Sequence, residues 1–313
     1  MNIVSKAALC RVALDAAARG WHVFPLRHND KRPAFPDHAA EHCTGRDPRC
    51  RAVGTHVGWE ARATTDPDRI TRAWRITSFN VGIACGPSGL VVVDLDVPKP
   101  GQTPPPEAGP CGDGDAVFAG MCHRAGQPYP ADTYAVTTGR GGTHLYYRHP
   151  DTGPQLRNTA GLLGWLIDTR AHGGYVVAAG SVAGSYPYTV ARDADPAPLP
   201  AWLADRLTPT PLPPQQPVAV ELGTGRQAAY LDAAIGHSLD AIAAAPDGTL
   251  NRTLYGAAVA LGQLVAGGAL DAADTEELLL RAAVAKGHPV AGARRTIHSG
   301  FRAGANRPRS VAA

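Results

Sequence analysis

Residues 90–99, LVVVDLDVPK, constrain this chain more than any other stretch. Four consecutive apolar residues read as a strand covered on both faces, yet the run closes on two carboxylates, the side chains least easily buried without a partner. Side chains alternate along a strand, so Asp94 and Asp96 point the same way while Leu95 points back into the core. Two like charges on one face repel, and the repulsion is relieved by a cation between them or by a turn that opens both to water. Any fold for this chain must bring the end of a buried strand to such a place.

The 313 residues, 44% of them hydrophobic, are enough to bury a proper core and to form one large domain and a smaller one. No apolar run approaches the roughly 18 residues of a membrane span. The first residues, MNIVSKAALCRVALDAAARG, lack the apolar core and small-residue cleavage site of a signal peptide. The expected setting is therefore the cytoplasm, with no membrane partner. Cys10, Cys43, Cys50, Cys85, Cys111 and Cys122 are scattered along the chain, unlike a secreted disulfide framework. A net charge of +3 is compatible with a polyanionic partner but too small to establish one.

Apolar positions at helical spacing over residues 5–20 predict a first helix ending at Gly20, and WHVFPL predicts a first strand. In TTDPDRITRAWR, Thr65 or Asp66 caps a second helix, with Pro67 in its first turn. NVGIACG and LVVVDLD, joined by GPSG, have the spacing of a hairpin. Residues 98–130, rich in Pro and Gly, read as an irregular insertion. TYAVTT, THLYYRH, GWLIDTRA and GYVVAAG are four further strands. A short helix and a semi-rigid Pro-rich tether follow, and from about residue 223 the pattern turns purely helical, with four segments of 3.6-residue spacing. The expected division is a domain over 1–207, a linker over 208–222 and a helical domain over 223–313.

Three places carry candidate chemistry. The first is the Asp94–Asp96 pair, whose ordinary alternative is a strand ending in a solvated turn. The second is TTGRGGTHLYY, where glycines allow backbone amides to approach an anion and Arg140 and His144 supply charge; an ordinary glycine hairpin has the same pattern. The third is WLIDTRAHGGYVVAAGS, in which Asp168 interrupts an apolar strand and Arg170 shares its face, as a private ion pair also would. Together, two carboxylates on one strand, a third on another and a Gly/Arg/His phosphate cradle are what a two-metal nucleotidyl transferase requires, with oxygen ligands for Mg²⁺ or Mn²⁺.

In order and spacing over roughly residues 8–205, the segments ALDAAARGWHVFPL, DKRPA, TTDPDRITRAW, NVGIACG, LVVVDLD, TTGRGGTHLYY and IDTRAHGGYVVAAGS resemble the bifunctional DNA primase/polymerase (Prim-Pol) domain of the archaeo-eukaryotic primase superfamily, in particular members from actinobacterial plasmids and phages. The resemblance implies an α+β fold: a primase-type, RRM-like mixed-sheet catalytic core with flanking helices, followed by a small C-terminal helical bundle. It implies that Asp94, Asp96 and Asp168 bind Mg²⁺ or Mn²⁺ and that His144 contacts the nucleotide. By the same resemblance Lys31, Arg140, Arg170 and Ser181 lie near the nucleotide or template, and Gly141 and Gly142 of the glycine loop join them as candidates for binding the nucleotide. The implied partners are a single-stranded DNA template, NTP or dNTP, and a separate replicative helicase, since the sequence holds no GxxxxGK[ST] loop. Arg252, Arg294 and Arg295 in the helical part are candidate template contacts.

The loop over 38–58 contains His38, His42, Cys43, Cys50 and His56. Such side chains complete a tetrahedral Zn²⁺ site, and a polar loop without a core gains most from one. The C-x₆-C spacing is wider than in common zinc fingers, so the residues alone fit either a metal clasp or incidental Cys and His. Related primases carry a zinc-binding stem, and the resemblance therefore implies one structural Zn²⁺ held by Cys43, Cys50, His56 and either His38 or His42. Cys111 and Cys122 with His123 are a weaker candidate and read as free thiols. Two rival functions use the same residues: a non-catalytic module that binds single-stranded DNA or an origin, and a two-metal nuclease.

Overall fold

The computed structural model describes residues 4–105, 112–184, 186–208, 218–221, 226–246 and 249–312. The chain divides into two compact units, Met1–Pro209 and Thr210–Ala313. Most of the proline-rich stretch expected at 208–222, and Cys111, lie outside the described residues. Among the described residues no helix is long and apolar enough to cross a membrane.

The first unit opens with α1 (Lys6–Ala18), capped by Ser5, whose hydroxyl accepts from the Ala8 amide at 3.2 Å. Strands β1 (Val23–Leu26) and β2 (Asn80–Ala84) follow, separated by helices α2 (Pro48–Val53), α3 (Trp59–Arg62) and α4 (Pro67–Trp74). Asp66, with Pro67 behind it, caps α4 as its sequence demands. Then come β3 (Leu90–Leu95), α5 (Gly114–Arg124), β4 (Tyr134–Thr137), β5 (Thr143–Arg148), β6 (Thr159–Ala160), β7 (Ile167–Arg170) and β8 (Tyr175–Val177). Short strands β9 (Val182–Ala183), β10 (Tyr186–Pro187), β11 (Thr189–Arg192) and β12 (Ala197–Pro198) lead to α6 (Ala201–Leu207).

These strands make two principal sheets. One is antiparallel, in the order β1-β2-β8; the other runs β11-β4-β5-β3-β7-β6, also antiparallel, with β12 added parallel to β5. Strand β3 is central in the larger sheet and buried on both faces, which accounts for its unbroken apolar run. Val91, Val93 and Leu95 belong to the core shared with Phe118 of α5 and Leu203 of α6. Leu90 and Val92 face the opposite way, into a core shared with β1, β2 and β8. The face that carries Asp94 is therefore the one turned toward the smaller sheet.

Two sequence expectations are corrected here. Strands β2 and β3 do not form a hairpin. The turn between them closes, with the Leu90 amide donating to the Cys85 carbonyl at 2.9 Å, but the strands then enter different sheets. Each is buried and needs neighbours along both edges, which turn spacing does not specify. Ser88 ties the turn to the smaller sheet, accepting from the His22 amide at 2.8 Å and donating to the Ala84 carbonyl at 2.6 Å. Residues 98–130 also contain α5, capped by Asp113, with Val117, Phe118, Met121 and Cys122 buried at helical spacing amid the Gly and Pro around it.

The second unit holds α7 (Gln227–Ala243), α8 (Leu250–Ala266), α9 (Ala272–Ala285) and α10 (Val290–Ala305), the four helices expected. Helices α8 and α10 approach closely at glycines: a Cβ on Gly300 would stand 2.5 Å from the Ala258 Cβ, and one on Gly304 would stand 2.6 Å from the Val259 carbonyl oxygen. The unit is not purely helical, because β13 (Val218–Glu221) and β14 (Arg309–Ala312) pair in parallel. Four-residue strands at the two ends of a helical segment leave little periodic signal.

Candidate active site

The ladders around β3 set the site. Asp94 lies directly opposite His144 on β5 and directly opposite Asp168 on β7, so the three side chains form one row across three strands. Opposed carboxylates on neighbouring strands repel. Arg170, two residues beyond Asp168 and on the same face, answers both: its Nη2 is 3.0 Å from Asp168 Oδ2 and 3.9 Å from Asp94 Oδ2. On the other flank His144 Nε2 is 3.3 Å from Asp94 Oδ1. The Asp168–Arg170 ion pair anticipated from spacing is thus present, and it reaches a second carboxylate.

Asp96 follows the last ladder pair and is held by its backbone. Its amide donates to the Leu166 carbonyl at 2.9 Å, and its carbonyl accepts from the Gly114 amide, the first of α5, at 2.8 Å. Leu166 adopts a left-handed φ of 60°, uncommon for a branched side chain, just where its carbonyl meets Asp96 and two residues before Asp168.

The two carboxylates of β3 differ electrostatically. Burial acts to raise the Asp94 pKa, but contact with His144 and the charges of His144, Arg170 and Lys31 outweigh it and hold the group below its ordinary value. Asp96 is exposed as a residue, yet crowding of its carboxyl by the surrounding chain, and then the negative charges of Asp94 and Asp168, push its pKa up. Apart from the 3.3 Å ion contact with His144 Nε2, which lacks hydrogen-bond alignment, Asp94 Oδ1 is buried without a partner, and so is His144 Nδ1. A buried carboxylate oxygen that accepts no hydrogen bond, beside two further carboxylates, one of them pushed up by burial and then by like charge, is a donor set that suits a hard divalent cation.

Beside this row opens a cavity of about 340 Å³, lined by Asp94, His144, Arg170, Lys31, Tyr188 and Asn158 among others. Lys31 Nζ sits 5.6 Å from the centre of the Tyr188 ring, and the centre of the His144 ring is 6.0 Å from it. Asn158 secures the turn after β7, accepting from the Ala171 amide at 2.9 Å and donating to the Gly173 carbonyl at 3.1 Å. Neither Tyr188 nor Asn158 stands in a run that marks it, so sequence reasoning passed over both.

Other sequence candidates lie elsewhere. Arg140 and Gly141 are exposed in the turn between β4 and β5 and do not line the cavity, and the Gly141 amide donates to the Thr138 carbonyl at 2.9 Å instead of being free for a phosphate. Gly142 is buried; a Cβ there would stand 2.5 Å from the Leu95 carbonyl oxygen, so the glycine lets the turn lie against the end of β3. Ser181 is fully buried and its hydroxyl accepts from the Val81 amide at 3.0 Å, joining β2 to the chain after β8. In the second unit Arg252 and Arg295 line a separate hollow with Tyr255, while Arg294 Nε is 3.9 Å from Glu276 Oε1.

A second cluster joins His38, Cys43, Cys50 and His56, whose ligand atoms all lie within 4.8 Å of one another. Cys50 is buried at the start of α2, where Asp47 caps the helix and pairs with Arg62 at 2.9 Å. His38 Nε2 is 3.7 Å from Cys50 Sγ, close to the ~3.5 Å between donors of a tetrahedral zinc site with bonds of about 2.0–2.3 Å. His56 Nδ1 is buried without a partner. The cluster takes His38; His42, exposed at the end of the single 3₁₀ turn Ala40–His42, is outside it. Cys122 is a buried free thiol, and His123 beside it is exposed.

Residues 13–202 match the family model described as bifunctional DNA primase/polymerase, N-terminal. No curated protein matches the chain.

Proposed function

The chain belongs to the bifunctional DNA primase/polymerase family, and we propose that it makes and extends primers on a single-stranded DNA template by nucleotidyl transfer in the cavity beside Asp94. The observation that carries this reading is the row His144–Asp94–Asp168 across β5, β3 and β7, opening on a cavity with two cations, Lys31 and Arg170.

In this reading Asp94, Asp96 and Asp168 hold the divalent cations, Mg²⁺ or Mn²⁺. When bound, such ions neutralise triphosphate charge and acidify an attacking 3′-hydroxyl. The chain's own residues bind and orient. Lys31 and His144, both lining the cavity and each near the Tyr188 ring, supply positive charge and a hydrogen bond to the triphosphate. Arg170, which lines the cavity and pairs with Asp168, would offer its guanidinium to the nucleotide phosphates. His38, Cys43, Cys50 and His56 hold a structural Zn²⁺ that fixes the loop before α2. Arg252, Tyr255 and Arg295 in the second unit contact the template. A cytoplasmic plasmid or phage replication system, with a separate helicase exposing the template, is the setting this activity fits.

The test is incorporation of labelled dNTP or NTP on primed and unprimed single strands with Mg²⁺ or Mn²⁺. Incorporation that is lost in Asp94→Asn and Asp168→Asn supports the reading. Strand cleavage without incorporation would assign a nuclease, and binding without either reaction would assign a non-catalytic module.

A further inference from the structure

The first unit carries a second hollow, of about 420 Å³, lined by residues of β1, α2 and α4 and separate from the cavity beside Asp94. Arg49, Arg69 and Arg72 stand in its wall with Phe35, Trp74 and Ile76. Phe35 and Ile76 are 38% and 67% exposed, so the apolar surface is open to solvent.

Charge in this hollow is unbalanced. Among the described residues Asp47 is the one acid lining it, and that carboxylate is already engaged, accepting from Arg62 at 2.9 Å and from the amides of Arg49 and Cys50 at 2.9 and 3.2 Å. Arg69 donates to the Arg62 carbonyl at 3.0 Å. No acceptor among the described residues reaches the guanidinium of Arg49 or Arg72. Burial, and then the charges of Arg69 and Arg62, hold the Arg49 pKa below its usual value, the mark of crowded cations. An anion relieves such crowding, and the apolar wall selects one that also carries a flat hydrophobic face.

The position of the hollow favours a strand over a free nucleotide. Phe24, in its wall, meets Tyr175 edge to face with ring centres 5.3 Å apart, and Tyr175 lines the cavity beside Asp94. The linings of the two spaces thus touch through this ring pair, and a strand of several nucleotides seated in the hollow has the length to reach the cavity, which a free nucleotide does not.

We propose that this hollow docks single-stranded nucleic acid, with Arg49 and Arg72 holding phosphates and an unpaired base lying on Phe35 and Ile76. It rests on the function proposed above only in the choice of a nucleic-acid strand over other anions with a flat face.

The test uses the full chain. Labelled single-stranded DNA, RNA of the same sequence and a labelled NTP are titrated by anisotropy over a salt series against the wild type and Arg49→Ala/Arg72→Ala. The expected result is at least a tenfold loss of strand affinity at low salt, and a salt dependence shallower by about 1.4 in log–log slope for two lost phosphate contacts, with NTP affinity unchanged. Loss with one sugar or with both supports the site and identifies its ligand. Unchanged strand affinity and slope, or an equal loss for the NTP, overturns it. Photocrosslinking of an iodouracil-containing strand to the unmodified chain decides independently of how the variant folds: adducts on the peptides holding Phe35 or Ile76 support docking, and adducts confined elsewhere overturn it. Primer extension by the wild type is scored separately. Extension with unaltered strand binding by the double variant defeats this inference alone, and Arg49/Arg72-dependent binding without extension defeats the catalytic reading alone.

Discussion

Asp94 and His144 face each other across the β3–β5 ladder, and Nε2 of the histidine lies 3.3 Å from Oδ1 of the carboxylate. Both residues are largely buried; the 3.3 Å ion contact lacks hydrogen-bond alignment, so Oδ1 of Asp94 accepts no hydrogen bond, and Nδ1 of His144 has no partner. A buried pair left partly unsatisfied is poised to receive a ligand rather than to seal a core.

Removing His144 should therefore affect ligand more than fold. His144→Ala is expected to weaken nucleotide binding about tenfold or more, the scale of one lost charge-assisted hydrogen bond, and to leave affinity for single-stranded DNA unchanged. Titration of a non-hydrolysable nucleotide and of a labelled oligonucleotide against both proteins checks this; equal nucleotide affinities would remove His144 from the nucleotide site.

The two carboxylates of β3 should act on stability with opposite signs. Asp94 is held below its ordinary pKa, so its charge stabilises the fold above about pH 4, the unfolded value, and this contribution is lost as pH falls through the lower folded value. Asp96 is raised, so its contribution is favourable below the unfolded value and is lost as pH rises through the folded one. With a chelator present, Asp94→Asn should lower the melting temperature at neutral pH and Asp96→Asn should raise it, both differences closing toward about pH 3. Melting curves across that range decide the matter, and shifts of the same sign would contradict the assignment.

For the His38–Cys43–Cys50–His56 cluster, metal analysis is expected to find one zinc per chain and none in Cys43→Ser/Cys50→Ser. Because binding energy in such a loop is largely its folding energy, limited proteolysis should open residues 38–58 in the double variant while the sheets stay protected. Purified protein without zinc would remove the site.

The contact between α8 and α10 depends on a missing side chain. Gly300→Ala puts a Cβ 2.5 Å from the Ala258 Cβ and 3.0 Å from its carbonyl carbon, neither on a flexible side chain. The helices must separate, at a cost of about 1–3 kcal/mol. Thermal unfolding should show a lower transition for the second unit, and an unshifted transition would mean that the helices reseat freely.

The elements were legible where their signal is local. The caps and apolar spacing of α1 and α4, and the four helices of the second unit, are properties of short windows. So was the placing of Asp94, Asp168 and His144 on strands. Pairing was not: nothing in GPSG says that β2 and β3 part company, and nothing in either run says that Asp94 stands opposite both His144 and Asp168. The same limit explains the nucleotide candidates. Lys31 and Arg170 reach the cavity through the way the sheets fold over it, whereas Arg140 faces solvent and Ser181 is used up on the Val81 amide. His38 and His42 were equivalent by spacing, but His42 ends the 3₁₀ turn Ala40–His42 as an exposed residue while His38 joins the cluster.

The hydrogen bond from Gly114 to the Asp96 carbonyl closes a ring in the chain, since the excursion that leaves at Val97 returns to the very peptide it left. Both its ends hang from one peg, which Leu166 pins from the opposite edge. Loop closure depends only weakly on length, so what fixes the Asp96 peptide is the pair of hydrogen bonds at the two ends of this excursion, with Asp113 capping α5 beside one of them, and not the number of residues between.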